Sequence, residues 1–185
     1  MADIFLIVGP PATGKSTTSR ALCAQFPRSV HIPVDDLRMM VSSGLVLPQP
    51  QWSDELALQV SLARGAAVDM ATRYRAAEFT VVIDDFVDPH HLVEYRKFGQ
   101  APRVRKVLLH PAEDEARRRN FVRAGDTPDR NYIDAGIRHV YGLISAAMSE
   151  LQQSGWLILD TTTMTVDQTV AAILAADFEN DASGS

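Results

Sequence analysis

Five short apolar runs recur along the chain, and the stretches between them carry apolar residues at helical spacing. The runs cover residues 4–8, 30–34, 80–83, 104–109 and 156–159. They are rich in β-branched residues and show little polar alternation, which is typical of strands buried on both faces of a parallel sheet. The pattern therefore predicts an α/β fold in which about five parallel strands lie between two layers of helices.

A long amphipathic helix is predicted over residues 53–78, between the second and third strands. Asp54 and Glu55 fall in its first turn, where the helix dipole favours negative charge. Its apolar residues follow a helical stripe suited to burial against the sheet. The stripe consists of Leu56, Val60, Ala63, Ala67, Met70 and Tyr74.

The first apolar run leads directly into the sequence GPPATGKST at residues 9–17. Gly9 and Gly14 permit backbone conformations that bring N–H groups close to phosphate oxygens, and the following helix directs its positive dipole end at the same anion. Lys15 can then reach the β- and γ-phosphates, and Ser16 can bind Mg²⁺. A glycine-rich turn with a surface lysine is the alternative, but the strand before it and the helix after it favour a triphosphate site. The candidate nucleotide-binding residues are Gly9, Pro10, Pro11, Ala12, Thr13, Gly14, Lys15, Ser16 and Thr17.

The composition suits one domain without an internal disulfide. The 185 residues are 46% hydrophobic, and Cys23 is the single cysteine. We expect one domain over residues 1–178, a frayed tail over 179–185 and a cytoplasmic protein. No apolar stretch approaches the roughly 20 residues that span a bilayer. The formal net charge of −5 does not favour a polynucleotide partner.

Two carboxylates and an arginine follow the second strand. Asp35, Asp36 and Arg38 lie at the predicted carboxyl edge of the sheet, where such sheets bind ligands. On a helix that starts here, Asp35 and Arg38 face the same side, whereas Asp36 is rotated about 100° away. Asp35 could then deprotonate a hydroxyl, and Arg38 could hold an anionic or hydrogen-bonding part of the phosphoryl acceptor. The alternative is that an Asp caps the helix and Arg38 is a solvated surface charge.

The third strand is followed by Asp84 and Asp85. A carboxylate at that position lets a P-loop protein hold Mg²⁺ or its waters. Because alternate strand residues face opposite sides, we expect one carboxylate to serve the site and the other to cap a helix beginning near Pro89. The interpretation favours Asp85, toward both the metal and the substrate, and leaves Asp84 open.

The stretch 113–130 is rich in charge and is broken at residues 125–128, which predicts a helical lid with a mobile turn. Arg119 and Arg123 share a helix face, which two cations do at a cost unless an anion lies between them or acids neutralise them. A triphosphate is the anion that we expect both arginines to bind. Surface pairs with acids of the same helix are the alternative. Those acids are Glu113, Asp114 and Glu115.

With these residues in place, the chain resembles the small P-loop kinases, and within them the group that contains polynucleotide 5′-kinases, chloramphenicol phosphotransferase and zeta-toxin-like kinases. GPPATGKST at 9–17 and VDDLR at 34–38 carry the resemblance. It implies the P-loop NTPase sandwich, with Asp35 as general base, Arg38 contacting the phosphoryl acceptor and Arg123 clamping the transferring phosphate. It also implies that Thr161, after the last strand, lies beside adenine.

The leading hypothesis is an ATP-dependent kinase that uses Mg²⁺ and transfers the γ-phosphate to a hydroxyl of a small molecule or nucleotide. Its catalytic residues would be Lys15, Asp35 and Arg123. Two alternatives stay open: a polynucleotide 5′-hydroxyl kinase, and an ATPase or switch that acts on a protein partner. A GTPase is not favoured, because the sequence lacks the base-reading motif Asn-Lys-x-Asp.

Overall fold

The computed structural model describes residues 2–49, 52–86, 92–98, 103–125 and 127–178. Strands and helices alternate along the chain, as the apolar pattern predicts. The strands are β1 (Ile4–Gly9), β2 (Ser29–Pro33), β3 (Thr80–Phe86), β4 (Val104–Leu109) and β5 (Trp156–Leu159). The helices are α1 (Lys15–Cys23), α2 (Val34–Met39), α3 (Asp54–Ala76), α4 (Glu113–Ala124), α5 (Pro128–Gln153) and α6 (Val166–Ala175), with a 3₁₀ helix at Val93–Phe98.

The five strands form a parallel sheet in the order β2-β3-β1-β4-β5. β1 lies at the centre, where Ile7 is in register with Asp84 of β3 and Val107 of β4. β2 and β3 therefore lie on one side of β1, and β4 and β5 lie on the other. The loop after β1 opens at the carboxyl edge of the sheet, which is where ligands bind in folds of this class.

Two apolar cores cover the two faces of the sheet. Leu6 and Ile83 belong to the core that α3 and α5 complete. Ile7 and Val82 belong to the other core, which α1 and α6 complete. Successive strand residues thus enter opposite cores, and the protein is the predicted three-layer α/β sandwich.

The helix predicted over residues 53–78 is α3, and most of its predicted stripe is buried. The prediction was wrong for Tyr74, which is 38% exposed and rests its ring edge-on against Phe79. Arg64 is instead fully buried within that helix. A buried guanidinium needs an anionic or polar partner, and the partner lies at the candidate site.

The third strand is longer than predicted. It runs to Phe86, so Asp84 and Asp85 lie within β3 and not after it. The helix that we expect one of these carboxylates to cap would begin near Pro89, so that expectation stays a prediction. Pro89, the turn residue Asp126 and the tail 179–185 lie outside the described residues.

Helices long and apolar enough to cross a membrane do not occur within the described ranges.

Candidate active site

The end of β1 approaches the end of β4 so closely that Gly9 has no room for a side chain. A Cβ at Gly9 would lie 2.6 Å from the carbonyl oxygen of Leu109 and 2.8 Å from Oγ1 of Thr13. Gly14, the N-cap of α1, has a φ of 88°, a conformation that favours glycine. Gly14 thus has the special backbone conformation that the sequence predicts, whereas Gly9 is required by close packing against β4.

Lys15 opens α1, and its Nζ donates to the carbonyl oxygen of Pro10 at 2.9 Å. Burial lowers the pKa of the Lys15 ammonium, and three carboxylates oppose this effect while the charge of Arg123 adds to it. Those carboxylates belong to Asp35, Asp84 and Asp85. The candidate catalytic groups from three different segments thus lie within electrostatic reach of one lysine.

Helix α5 packs on the outer side of the phosphate loop. Ala12, which has a φ of 63°, joins a small core with Ile137 and Tyr141 of α5. A Cβ at Gly136 would lie 3.9 Å from Cγ of Pro11, so α5 runs beside the loop with room for little more than a methyl group. Pro11 and Ala12 therefore connect the phosphate loop to the lid side of the protein.

Asp35 and Arg38 face the same side of α2, as predicted. Nη1 of Arg38 donates to Oδ1 of Asp35 at 3.2 Å. The N-cap of α2 is Pro33 and makes no side-chain cap, so the alternative of an Asp cap is wrong. Arg38 is 4% exposed, so the alternative of a solvated surface charge is wrong as well. Asp36 is exposed and faces away from the pair.

The carboxylates of β3 lie on opposite faces of the sheet and have different partners. Oδ2 of Asp84 lies 2.6 Å from Nε2 of His31 on the neighbouring strand β2. Asp84 follows the alternation of Val82, which faces α1, whereas Asp85 follows that of Ile83, which faces α3. Asp84 therefore lies on the face of the sheet that also carries the phosphate-loop helix.

Asp85 is held by two donors on the other face. Nε of Arg64 donates to Oδ2 of Asp85 at 2.6 Å, and the hydroxyl of Tyr95 donates to the same oxygen at 2.8 Å. Burial raises the pKa of Asp85, while the charge and hydrogen bonds of its two partners oppose this shift. Oδ1 of Asp85 is buried and makes no hydrogen bond within the described part of the chain.

Arg119 joins α4, the helix of the predicted lid, to the phosphate loop and to the segment after β5. Its guanidinium donates to the carbonyl oxygens of Thr13 at 3.4 Å and Thr161 at 2.8 Å. Nε of Arg119 donates to Glu115, which also accepts from Arg118, and these bonds lower the pKa of Glu115 to about 2. Arg119 thus forms the ion pair with an acid of its own helix that the sequence offered as the alternative. It nevertheless lies beside the phosphate loop.

Arg123 lies one turn further along α4. Its Nη2 donates to Oδ1 of Asn120 at 3.2 Å, and Nδ2 of the buried Asn120 donates to Asp134 of α5 at 2.8 Å. Arg123 is exposed, and its charge acts on Lys15. It is thus a cation on the lid within electrostatic reach of the phosphate-loop lysine.

A cavity of about 400 Å³ lies beside the phosphate loop, between α4 and the segment after β5. Thr161 lines it, is 2% exposed, and has an Oγ1 without a hydrogen-bond partner in the described ranges. The volume lies within the roughly 300–1,000 Å³ of small-molecule pockets. Four further residues that the sequence predicts to bind nucleotide also line this cavity: Thr13, Gly14, Thr17 and Arg119.

The residues present fit a magnesium ion held mainly by phosphates. Ser16 lies half-buried in the first turn of α1, and Asp84 reaches the same face of the sheet. Clusters of three or more His, Cys, Asp or Glu suited to a metal do not occur among the described residues. Mg²⁺ keeps several waters and takes only one or two carboxylates beside substrate phosphates, so no such cluster is required.

Four residues at this site escaped the sequence reasoning: His31, Arg64, Tyr95 and Tyr132. The hydroxyl of Tyr132 on α5 donates to the carbonyl oxygen of Pro48, and partial burial raises its pKa, with opposing contributions from the charges of Arg38 and Asp35. The one available signal was an arginine at an inward position of α3. The others depend on contacts between segments far apart in the chain.

A family model with the description AAA domain matches residues 4–143. The chain belongs to the AAA domain family. The matched range contains the phosphate loop, the Asp35–Arg38 pair, both carboxylates of β3 and the lid arginines. A comparison of this AAA domain with curated proteins finds no match.

Solved structures similar to this AAA domain include small kinases. A gluconokinase from Sinorhizobium meliloti 1021 has a TM-score of 0.63 at 17% identity, over 94% of this chain and 90% of that one. A shikimate kinase from Acinetobacter baumannii in complex with shikimate has a TM-score of 0.63 at 14% identity, over 94% and 92%. A tunicamycin resistance protein from Deinococcus radiodurans has a TM-score of 0.62 at 14% identity, over 95% of both chains.

At these identities the likeness shows the fold alone. It is a P-loop kinase-like fold, which confirms the sequence prediction at that level. The narrower resemblance to polynucleotide 5′-kinases and their group is matched by none of these three names, and it stays a prediction.

Proposed function

We propose that this AAA domain is an ATP-dependent kinase that transfers the γ-phosphate to a hydroxyl of a small molecule or nucleotide. The observation that carries the proposal is that Lys15 of the phosphate loop lies within electrostatic reach of both Asp35 and Arg123, since burial lowers the pKa of its ammonium while the two charges also act on it. A nucleotide-binding module without catalysis would need the lysine alone. A carboxylate and an exposed cation beside the lysine favour phosphoryl transfer.

The proposed roles follow from charge and position. Lys15 and the backbone N–H groups of the loop bind the β- and γ-phosphates, and the cavity at Thr161 receives the base of ATP. Asp35 accepts the proton of the acceptor hydroxyl as its oxygen bonds to the γ-phosphorus and the bond to ADP breaks. Arg123 faces the charge that develops on the transferring group.

Magnesium would be held by Ser16 and a carboxylate of β3. We assign the carboxylate to Asp84, because it shares the α1 face of the sheet, whereas Asp85 is already neutralised by Arg64. When bound, the ion supplies positive charge to the phosphate oxygens. The sequence favoured Asp85 for both the metal and the substrate. We propose that it serves the phosphoryl acceptor alone.

The experiment that tests this function is a screen with ATP labelled at the γ-phosphate. Wild-type protein and the Lys15→Ala variant are incubated with pools of sugars, nucleosides, small alcohols and 5′-hydroxyl oligonucleotides. We expect label to move to a small-molecule pool in a Lys15-dependent way. Label released as phosphate at the same rate with and without every pool would instead indicate an ATPase or switch, and the kinase proposal would fail.

A further inference from the structure

Two buried polar atoms near Asp35 have no hydrogen-bond partner within the part of the chain that the structure describes. They are Nε of Arg38 and Oδ1 of Asp85. Arg38 is 4% exposed and Asp85 is 1% exposed, so bulk water does not reach either group freely. Unpaired buried polar atoms cost free energy, and native proteins retain them chiefly where a ligand or ordered water meets them.

Both atoms belong to residues that act on Asp35, the proposed base. Arg38 contacts Asp35 directly through Nη1, and the charge of Asp35 acts on the carboxyl group of Asp85. Arg38 and Asp85 do not pair with each other as an ion pair. The proposed base is therefore flanked by one unpaired N–H that can donate and one unpaired carboxylate oxygen that can accept.

The carboxylate of Asp85 cannot turn to find another partner without losing two bonds. Arg64 and Tyr95 both donate to Oδ2, and Nη2 of Arg64 also donates to the carbonyl oxygen of Phe86 at 3.3 Å. The Arg64 guanidinium lies over the Phe86 ring at 4.9 Å, which fixes it further. Only Oδ1 of Asp85 is left for a molecule in the cleft.

A hydrogen bond joins α5 to the loop before α3 near the same residues. Tyr132 donates to the carbonyl oxygen of Pro48, and it lies within electrostatic reach of Asp35 and Arg38. Gln59 of α3 fixes that loop from the other side, because its amide bonds both the N–H of Val46 and the carbonyl oxygen of Gly44. Side chains of α3 and α5 thus fix the loop before α3 beside the Asp35–Arg38 pair.

We propose that the phosphoryl acceptor is a small polyhydroxylated molecule, such as a sugar or sugar acid, that is read by Asp85 and Arg38. One hydroxyl donates to Oδ1 of Asp85 and another oxygen accepts from Nε of Arg38, while a further hydroxyl beside Asp35 is phosphorylated. Arg64 and Tyr95 are positioning residues that hold Asp85 for this contact. The inference rests on the proposed kinase function.

Other acceptors leave the two atoms unpaired. A mono-alcohol offers only the hydroxyl that reacts, so it satisfies neither Asp85 nor Arg38. The 5′ end of a DNA strand carries phosphate oxygens that Arg38 can bind, but its first sugar has no second hydroxyl to donate to Asp85. A site built around hydrogen bonds to substrate hydroxyls rejects analogues that lack them, often by several orders of magnitude.

The first test compares acceptors of matched size. Glycerol, D-ribose, D-glucose and D-gluconate are measured beside 1-propanol, cyclohexanol and a 5′-hydroxyl DNA oligonucleotide. Binding is followed by calorimetry with a non-hydrolysable ATP analogue present, and transfer is followed with labelled ATP. We expect at least one polyhydroxyl compound to bind and react, with kcat/KM about 10²-fold or more above that of the mono-alcohols and the oligonucleotide.

The second test removes one of the two hydrogen bonds that position Asp85 and keeps the aromatic ring that supplies it. Tyr95→Phe keeps the ring and deletes one bond to Oδ2 of Asp85, and Tyr74→Phe on the exposed face of α3 is the matched control. We expect Tyr95→Phe to raise the acceptor KM about 5- to 10-fold, the size of one hydrogen bond, and to reduce the preference for polyhydroxyl compounds. The ATP KM and kcat should change less than 2-fold. A general loosening of the fold would instead change these two constants together with the acceptor KM.

The outcomes separate the inference from the proposed function. Equal use of mono-alcohols or DNA, or an unchanged acceptor KM in Tyr95→Phe, would overturn the inference and leave the kinase intact. Binding of a polyhydroxyl compound that weakens in Tyr95→Phe, without transfer to any acceptor, would support the acceptor site and overturn the kinase. Failure of every polyhydroxyl probe both to bind and to react would overturn the inference.

Discussion

Arg38 and Asp35 form an unequal pair, in which a guanidinium 4% exposed contacts a carboxylate 60% exposed at 3.2 Å. The buried partner is fixed by its surroundings, and the exposed partner is free to meet a molecule in the cleft. An ion pair this open to solvent adds little to stability, about 0–1 kcal/mol. The exposed carboxylate of Asp35 is therefore the member of the pair that can meet a ligand, as its proposed role as a base requires.

Asp35→Asn should slow phosphoryl transfer by roughly 10²- to 10⁴-fold with ATP binding retained, because Asn cannot take the proton of the acceptor hydroxyl. Asp36→Asn is the matched control, since it removes the same charge from the same first turn of α2 and faces solvent. Single-turnover transfer and thermal melts measure both variants. A larger loss in Asp36→Asn would move the base to that residue, and no loss in either would remove the proposed base.

Lys15→Ala should lower transfer by about 10²-fold or more, because it deletes the side-chain charge that holds the β- and γ-phosphates. The melting temperature should change by only about 2 °C, since Lys15 adds no apolar side chain to either core. Arg20→Ala, at the exposed end of the same helix, is the control and should leave both values unchanged. Near-normal turnover in folded Lys15→Ala protein would contradict the phosphate-loop assignment.

Substitution of the two arginines of α4 should affect ATP affinity and the rate of transfer differently. Arg119→Ala removes bonds to Thr13 and Thr161 beside the base cavity, so ATP affinity should fall with a smaller effect on the rate at saturation. Arg123→Ala should lower the rate at saturation more than it weakens ATP binding, because a lid cation acts chiefly on developing charge. Calorimetry with ATP and transfer at saturating substrates distinguish these effects. The reversed pattern would exchange the two roles.

The sequence predicted what depends on local pattern. The phosphate loop, the strand-helix alternation and the shared face of Asp35 and Arg38 each follow from residues close together in the chain. The contact of Arg64 with Asp85 could not be predicted in this way, because it joins positions 21 residues apart across a helix and a strand. The sequence of a helix does not show whether an arginine at an inward position extends to solvent or pairs with a buried carboxylate.

The ambiguity between Asp84 and Asp85 has the same origin. Strand alternation predicts that the two carboxylates point to opposite faces, but it does not say which face carries the phosphate loop. That choice depends on the packing of α1 on one face and α3 on the other, which is a property of the whole sandwich. In the fold, Asp84 lies against His31 of β2 and Asp85 pairs with Arg64 of α3. Neither contact can be predicted from the residues next to the two carboxylates in the chain.

Two glycine substitutions should change stability in opposite directions. Gly65 lies within α3, and a Cβ there meets no atom within 4 Å, so Gly65→Ala should stabilise the protein by about 0.5–1 kcal/mol. Gly9→Ala should destabilise it by about 1–3 kcal/mol, because the new Cβ would overlap the carbonyl oxygen of Leu109. Denaturant melts measure both changes. ATP affinity should fall in Gly9→Ala alone, and equal melts for the two variants would contradict the close approach of β1 and β4.

Asp84→Asn and Asp85→Asn should affect different ligands. Asp84 shares the face of the sheet that carries α1, so Asp84→Asn should raise the Mg²⁺ concentration needed for half-maximal transfer. Asp85 shares the face of α3 and is neutralised by Arg64, so Asp85→Asn should raise the acceptor KM and leave the Mg²⁺ midpoint in place. The measurement is transfer at saturating ATP, titrated once with Mg²⁺ and once with the acceptor found in the screen. A shifted Mg²⁺ midpoint in Asp85→Asn, with none in Asp84→Asn, would return the metal to Asp85 and remove the division of the two carboxylates between the faces of the sheet.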